Sequence, residues 1–315
     1  MVKLQFLGTC AGIPSKMRNV SSLVIQMLQY QNECWMFDCG EATQHQLLHS
    51  PLTLSKITKI FITHLHGDHI YGLPGVIGSR SFQGATEKLQ IFGPKGIKNF
   101  IETTLTVSNT YVRYPLEIIE IQEGLICKND FFSFEAVRLE HGIVSYGYRI
   151  VEKDLPGPID VEKLKSIGVT PGPIYKELKA GKKVKLPNGK IIDGKDYCGP
   201  KKVGKIIAIG GDTRKCESIK RLAKDANILI HEATFLDKDR DLAFEHFHST
   251  AFEAAKTAKE CNVKVLFLNH ISSRYCEGID DLLREARSTF INSYIPHDLQ
   301  TYLLHQNDEV VLQLD

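Results

Sequence analysis

The chain reads as an α/β protein, a layered sandwich, and three features of its 315 residues carry that reading. Short runs rich in β-formers recur in both halves, helical periodicities fall between them, and ligand-type side chains follow several of the runs. In the first half the strand-length runs are Leu4–Leu7, Leu23–Met27, Trp35–Phe37, Ile60–Thr63 and Gln90–Phe92. In the second they are Phe132–Leu139, Tyr146–Val151, Ile206–Ile209, Ile228–Ile230 and Val265–Leu268. Helical spacing covers Glu41–His49, Glu217–Asp225, Ser249–Cys261 and Asp280–Ser293. The third of these helices has a start signal, because Ser249 or Thr250 can cap it and Glu253 falls in its first turns.

Composition sets the broad class. Hydrophobic residues make up 43% and charged residues 24%, enough for a buried core and not the signature of disorder. No segment reaches the roughly 18 consecutive apolar residues of a membrane span. Met1 to Gly12 lacks a basic stretch followed by an apolar run, so no secretory signal is expected. The expectation is a soluble cytoplasmic protein without a membrane role. The eight cysteines are scattered without a CxxC pair, which predicts free, mostly buried thiols and no disulfide scaffold.

The net charge of +2 hides an asymmetry. Residues 152–205 hold 13 Lys against 7 Asp and Glu, a net of +6, so the remainder carries −4. The same stretch is punctuated by Pro156-Gly157-Pro158, Pro171-Gly172-Pro173 and Gly199-Pro200. It reads as an extended arm or insertion within a single domain spanning 1–315. It is either a solvated surface loop or an arm that grips a polyanion, since clustered lysines create a local positive field.

The chemistry is concentrated in Thr63-His64-Leu65-His66-Gly67-Asp68-His69. Three imidazoles and a carboxylate follow directly on the strand Lys59–Ile62. These are ligands of choice for Zn²⁺ and neighbouring first-row metals. So dense a set cannot reach one ion from a straight strand, and a tight loop at Gly67 could divide it between two. Further ligands come at the ends of other strands: Gly210-Gly211-Asp212 after Lys205–Ile209, Asn269-His270 after Val263–Leu268, and Glu140-His141 after Phe132–Leu139. Chemistry collects at strand ends in α/β sites. Gly210 and Gly211 are expected to let the backbone approach the metals.

H-x-H-x-D-H followed by a lone His, a lone Asp and a final His resembles the metallo-β-lactamase superfamily. The resemblance implies a four-layer αβ/βα sandwich with a two-metal centre, two zinc ions or another divalent metal such as manganese. By it, His64, His66 and His141 hold one ion, Asp68, His69 and His270 the other, and Asp212 bridges them. Further segments resemble the ribonuclease Z family, which trims the 3′ end of precursor tRNA. They are Pro14–Asn19, Asp38–Gln44 (with Ala42 where the family carries Gly), His231–Phe235, His248–Thr250 and His270–Tyr275. Pro171–Lys179 resembles the Gly-Pro motif of the family's flexible tRNA-clamping arm. It departs from the motif near Lys176 and Glu177, where glycine is usual.

The resemblance implies precursor tRNA as partner, a homodimer, and an endoribonuclease that leaves a 3′-hydroxyl. Asp68 would be the general base and His248, oriented by Glu232, the general acid. Lys16, Arg18 and Arg274, with Pro171, Gly172, Pro173, Lys176 and Lys179 of the arm, would contact RNA. Tyr111 and Tyr114 are further candidates to stack on bases. Tyr146 and Tyr148 alternate along one strand and are expected in the core. Competing readings are a small-molecule phosphodiesterase or arylsulfatase with the same metal centre, and a non-catalytic RNA-binding member.

Overall fold

A computed structural model describes residues 2–27, 33–186, 188–305 and 309–313. Contacts divide the chain into two compact units: residues 1–127, 134–150 and 206–315 form the first, and 128–133 with 151–205 form the second.

The first unit is built on two sheets. One has eight strands in the spatial order Val310–Gln313, Thr301–Leu304, Val2–Gly8, Ser22–Met27, Glu33–Phe37, Ile57–Phe61, Leu89–Gly93 and Leu116–Glu120. The other has seven, in the order Ser293–Tyr294, Val265–Asn269, Ile228–Glu232, Ile206–Ile209, Ser145–Glu152, Phe132–Leu139 and Gly124–Lys128. Every strand expected from the sequence is present within a few residues.

Alternation along the strands explains the layering, since successive side chains point to opposite faces. Leu7, Val24, Met36, Ile60 and Ile91 face a cluster that includes residues of the helices Thr43–Leu48, Leu73–Phe82 and Ile97–Val107. Ala208, Leu229, Leu266 and Leu268 face one that includes residues of Glu217–Ala223, Ala251–Glu260 and Ile279–Thr289. Between the sheets the opposite faces meet through aromatic rings. Phe61 lies 5.2 Å from both Phe134 and Tyr148, and Phe6 lies 5.4 Å from Phe267. The Tyr148 hydroxyl donates to the Ile62 carbonyl at 2.5 Å, which satisfies the buried phenol. Tyr146 and Tyr148 are core residues, as expected. Tyr114 is also buried, donating to the Ile77 carbonyl at 2.9 Å, so of the tyrosines considered for base stacking Tyr111 is the exposed one. The result is the αβ/βα order of four layers.

Thr250, not Ser249, caps Ala251–Glu260, and Glu253 completes a capping box. Ser249 instead donates its hydroxyl to the Thr213 carbonyl at 2.6 Å. The cysteines are free: Cys10, Cys34, Cys39, Cys216 and Cys261 are buried and Cys127, Cys198 and Cys276 half-buried. No helix among the described residues is long and apolar enough to cross a membrane.

Ala42 precedes Thr43–Leu48 with φ 57° and ψ 7°, in the left-handed region. A Cβ there meets the following carbonyl at a cost of roughly 1 kcal/mol, which glycine avoids. Ala42→Gly is therefore expected to raise stability by about 0.5–1 kcal/mol, with glycine's unfolded-state entropy offsetting part of the gain. The urea midpoint reports it, and an unchanged or lower midpoint would show that the position carries no strain.

The second unit is folded more than its composition suggests. The helices Val161–Ser166 and Pro173–Lys179 and the hairpin of Lys183–Lys185 with Ile191–Asp193 surround a small core of Leu164, Val169, Leu178, Leu186 and Ile192. Asp160 caps the first helix by accepting from the Lys163 amide at 2.9 Å. Pro171, Gly172, Pro173, Lys176 and Lys179 are all exposed, while Leu178 anchors their helix.

Candidate metal centre

Five strands of the two sheets deliver the site at their C-terminal ends. Phe61 leads to His64–His69, Leu139 to His141, Ile209 to Asp212 and Asn269 to His270, while Glu232 is itself the last residue of its strand. Close approach of these ends requires glycine at two points. A Cβ on Gly211 would lie 2.6 Å from the Tyr146 carbonyl oxygen and 2.7 Å from Thr63 Cβ. One on Gly40 would lie 2.3 Å from the Asp68 carbonyl oxygen. The role of Gly211 is thus to seat three strand ends together. A Cβ on Gly210 would make only ordinary contacts.

The donor atoms converge. His64 Nε2 and His66 Nδ1 are 3.1 Å apart, and His141 Nε2 is 3.2 Å from the same His66 atom. Asp68 Oδ2 lies 3.3 Å from both His69 Nε2 and His270 Nε2. Asp212 Oδ2 stands between the two groups, 3.6 Å from His64 Nε2, 3.5 Å from His69 Nε2 and 3.2 Å from His270 Nε2. Four ligands at tetrahedral angles and bond lengths of about 2.0–2.1 Å are separated by roughly 3.3 Å. Side chains at these spacings fit metal ions without rearrangement, and the sets His64–His66–His141 and Asp68–His69–His270 each converge as candidate ligands.

The far side of four of the five rings is fixed as well. His69 Nδ1 donates to Asp38 Oδ2 at 2.8 Å, His141 Nδ1 to the Phe247 carbonyl at 3.0 Å, and His270 Nδ1 to Thr234 Oγ1 at 3.0 Å. His64 Nδ1 donates to Thr63 Oγ1 at 3.0 Å, and that hydroxyl passes its own proton to Asp38 Oδ2 at 2.9 Å. In four of the five histidines, then, Nδ1 is held by an outer partner and Nε2 faces the cluster. This is the outer partnering that orients metal-ligating histidines. Asp38, Phe247 and His270 hold left-handed backbone (φ 55°, 58° and 54°), which is how their side chains or carbonyls reach these positions.

Sequence reasoning placed Asp38, Thr63 and Thr234 in its motifs without a role at the centre, and missed the Phe247 carbonyl. The signal for Asp38 was available: it follows Glu33–Phe37, a strand parallel to Ile57–Phe61, and so obeys the same strand-end rule. Asp38→Asn is expected to lower metal affinity about 10- to 100-fold, measured by competition with a chromophoric chelator. Unchanged affinity would remove Asp38 from the centre.

Electrostatics suit cations. Burial, reinforced by neighbouring imidazoles, pushes His64 and His66 below the usual histidine range and keeps them neutral. Burial alone would lower His69, but Asp212 and Asp38 outweigh it and raise it well above that range. Burial also opposes the charge on Asp68, yet hydrogen bonds to His270 and His69 hold its carboxyl far below the carboxylate range. Metal binding at such a site expels protons, and acid opposes it.

Beside the donors stands a second constellation. His248 Nδ1 donates to Glu232 Oε1 at 2.9 Å. Glu232 is buried and also accepts from the Thr213 amide at 2.7 Å, the Ser249 amide at 3.0 Å and Thr234 Oγ1 at 2.6 Å. Burial opposes the imidazolium of His248, but the Glu232 carboxylate prevails and lifts it to about 9. The His248 ring is 5.1 Å from that of His141 and 5.5 Å from that of His270.

Of the basic residues expected at the surface, Lys16 and Arg274 are exposed, the latter with its guanidinium 5.8 Å over the Phe235 ring. Arg18 is not. It is 3% exposed and its guanidinium donates to Thr9 Oγ1 at 2.5 Å and the Pro296 carbonyl at 2.8 Å, with His297 Nδ1 at 3.2 Å. The expectation of an exposed RNA contact is therefore corrected: Arg18 ties its loop to residues near the other end of the chain.

The same arrangement of layers occurs in the metallo-β-lactamase-fold protein YhfI from Bacillus subtilis, with a TM-score of 0.67 at 20% identity over 95% of this chain and 98% of that one. The fold and the His/Asp cluster at its strand ends define a metallo-β-lactamase-fold protein built to hold divalent metal. Ribonuclease Z of Bacillus mycoides (strain KBAB4) is 55% identical over 299 residues, 94% of this chain and 97% of its own length. The human short-form tRNase Z superposes with a TM-score of 0.69 at 30% identity, covering 95% of this chain and 98% of that one. The chain belongs to the ribonuclease Z family and is a metal-dependent endoribonuclease of tRNA 3′ processing. A family model described as "Anti-Pycsar protein Apyc1" also matches, over residues 2–152.

Proposed function

We propose that this chain removes the 3′ trailer of precursor tRNA with two zinc ions, manganese being the alternative. His64, His66 and His141 would hold one, Asp68, His69 and His270 the other, and Asp212 both. The observation that carries the reading is the His248–Glu232 pair standing beside two convergent donor sets. A bound metal pair supplies a water nucleophile at neutral pH and neutralises charge on the phosphoryl oxygens.

The chain's own residues do the rest. Asp68 takes the proton of the attacking water; the Gly12 amide, donating to its Oδ2 at 2.8 Å, orients it. His248, held charged by Glu232, gives the proton of its Nε2 to the leaving 3′-oxygen. Thr213, donating its amide to Glu232, ties this acid to the Asp212 loop. The exposed lysines of the second unit, Lys176 and Lys179 among them, grip the tRNA, with Lys16 and Arg274 as further contacts. The chain works as a cytoplasmic homodimer.

Cleavage of a precursor tRNA with a short trailer is expected to give one cut after the discriminator nucleotide, with a 3′-hydroxyl and a 5′-phosphate. A cyclic phosphate end would exclude this mechanism. Affinity should fall steeply with salt. A salt-insensitive KM would favour a small-molecule ester instead.

A further inference from the structure

His248 lines two clefts. One, of about 370 Å³, also contains His66, Asp68, His141 and His270. The other, of about 170 Å³, is walled by Arg214, Lys215, Arg240 and Phe244, with Asp241 and Glu253 at its edge. Nothing in the mechanism above uses the second cleft. We propose that it is a nucleotide subsite that receives the last nucleotide retained in the product RNA, its base lying on the Phe244–Arg214 platform. The proposal rests on the endoribonuclease reading of the adjacent centre.

The direction of proton transfer decides which nucleotide belongs there. Hydrolysis that leaves a 3′-hydroxyl forms a bond from water oxygen to phosphorus and breaks the bond from phosphorus to O3′. The water proton goes to Asp68, and O3′ takes the proton of His248. The sugar bearing O3′ therefore lies against His248, whereas the phosphate departs with the trailer on the side of the metal ligands. The space adjoining His248 away from those ligands is the second cleft.

Its walls suit a nucleotide. The Arg214 guanidinium lies 4.6 Å from the Phe244 ring and 4.7 Å from the Phe247 ring. Its Nε donates to Glu140 Oε2 at 3.1 Å, and its backbone amide to the Glu140 carbonyl at 3.0 Å. The platform is thus fixed to the strand end that delivers His141, and Phe247 is the residue whose carbonyl holds His141 Nδ1. Phe244 is 61% exposed, so one face of its ring is open to a base. Base–aromatic stacking with a neighbouring guanidinium is how single-stranded nucleotides are held. Lys215 is exposed beside it. Arg240 is already engaged by Asp237 at 2.6–2.9 Å, Glu253 by the Thr250 amide and Arg214 by Glu140, so Lys215 supplies the charge for a phosphate.

The test uses the full-length, zinc-loaded protein with four substrates: a precursor tRNA, the same RNA abasic at the last retained nucleotide, the same RNA abasic at the first trailer nucleotide, and bis(p-nitrophenyl) phosphate. Phe244→Ala is expected to raise KM for the intact precursor about 10-fold with kcat nearly unchanged, and to leave the nitrophenyl ester unaffected. Phe244→Tyr keeps the ring and should behave as wild type. The abasic change at the last retained nucleotide should cost wild type a similar factor and cost Phe244→Ala nothing more. The abasic change in the trailer should multiply with the variant's loss. A wild type indifferent to the missing retained base, or a Phe244→Ala loss that multiplies with it, overturns the subsite. A wild type that cuts no precursor at all overturns the reading of the centre itself.

Discussion

Asp68→Ala is expected to lower single-turnover cleavage of precursor tRNA by about 10⁴-fold or more, with the fold intact. General-base catalysis alone is worth about 10²–10⁴-fold. Asp68 is asked to do more than that, because its Oδ2 also faces His69 and His270 at 3.3 Å within a candidate ligand set. Removing it should also weaken one of the two metal sites. Its one described backbone partner is the Gly12 amide in an exposed loop, and its other contacts, to His69 and His270, lie within the centre. The paired readouts are cleavage rate and metal content by atomic emission. A variant that loses activity while keeping both metals isolates the proton role. One that keeps full activity removes Asp68 from the mechanism.

His248→Ala should lower RNA cleavage by about 10²–10⁴-fold yet spare bis(p-nitrophenyl) phosphate, whose leaving group needs no proton. The pH profile follows from the lift of His248 to about 9 by the Glu232 carboxylate. The acid is competent while protonated, so cleavage holds up to that pH and falls above it. Glu232→Gln removes the charge that favours the imidazolium, so the alkaline limb should move to lower pH. An alkaline limb that stays in place in Glu232→Gln would assign it to another group. Equal losses on RNA and on the nitrophenyl ester would make His248 a structural residue.

The contrast between His64–His69 and Asp38 shows what the sequence could and could not reveal. The H-x-H-x-D-H run is local, and a metal site is one of few reasons to place three imidazoles and a carboxylate in six positions after a buried strand. Single ligands such as His141 and His270 became legible only through the strand-end rule, and Asp38 obeys that rule but carries no dense neighbourhood to draw attention. Arg18 was illegible for a different reason. Its partners Pro296 and His297 lie 278 and 279 positions away, and no local pattern separates a caged guanidinium from an exposed one.

The same limit applies to strand pairing. Thr301–Leu304 pairs with Val2–Gln5 across the whole length of the chain. The helix Leu73–Phe82 buries Gly78 and Ser81 among its apolar residues, which blunts the 3.6-residue pattern. In the Lys-rich stretch, charge and Pro/Gly dominate the composition, while five spaced apolar residues suffice for a small core.

The convergent donors are expected to hold two metal ions, and those ions to make the chain a precursor-tRNA nuclease. This is tested most directly by titrating Zn²⁺ into chelator-stripped protein while following single-turnover cleavage of end-labelled precursor tRNA. The expected result is no cleavage at the start, a rise that saturates at two ions per chain, and one cut after the discriminator nucleotide. Full cleavage by stripped protein, or no cleavage with both sites filled, would contradict it.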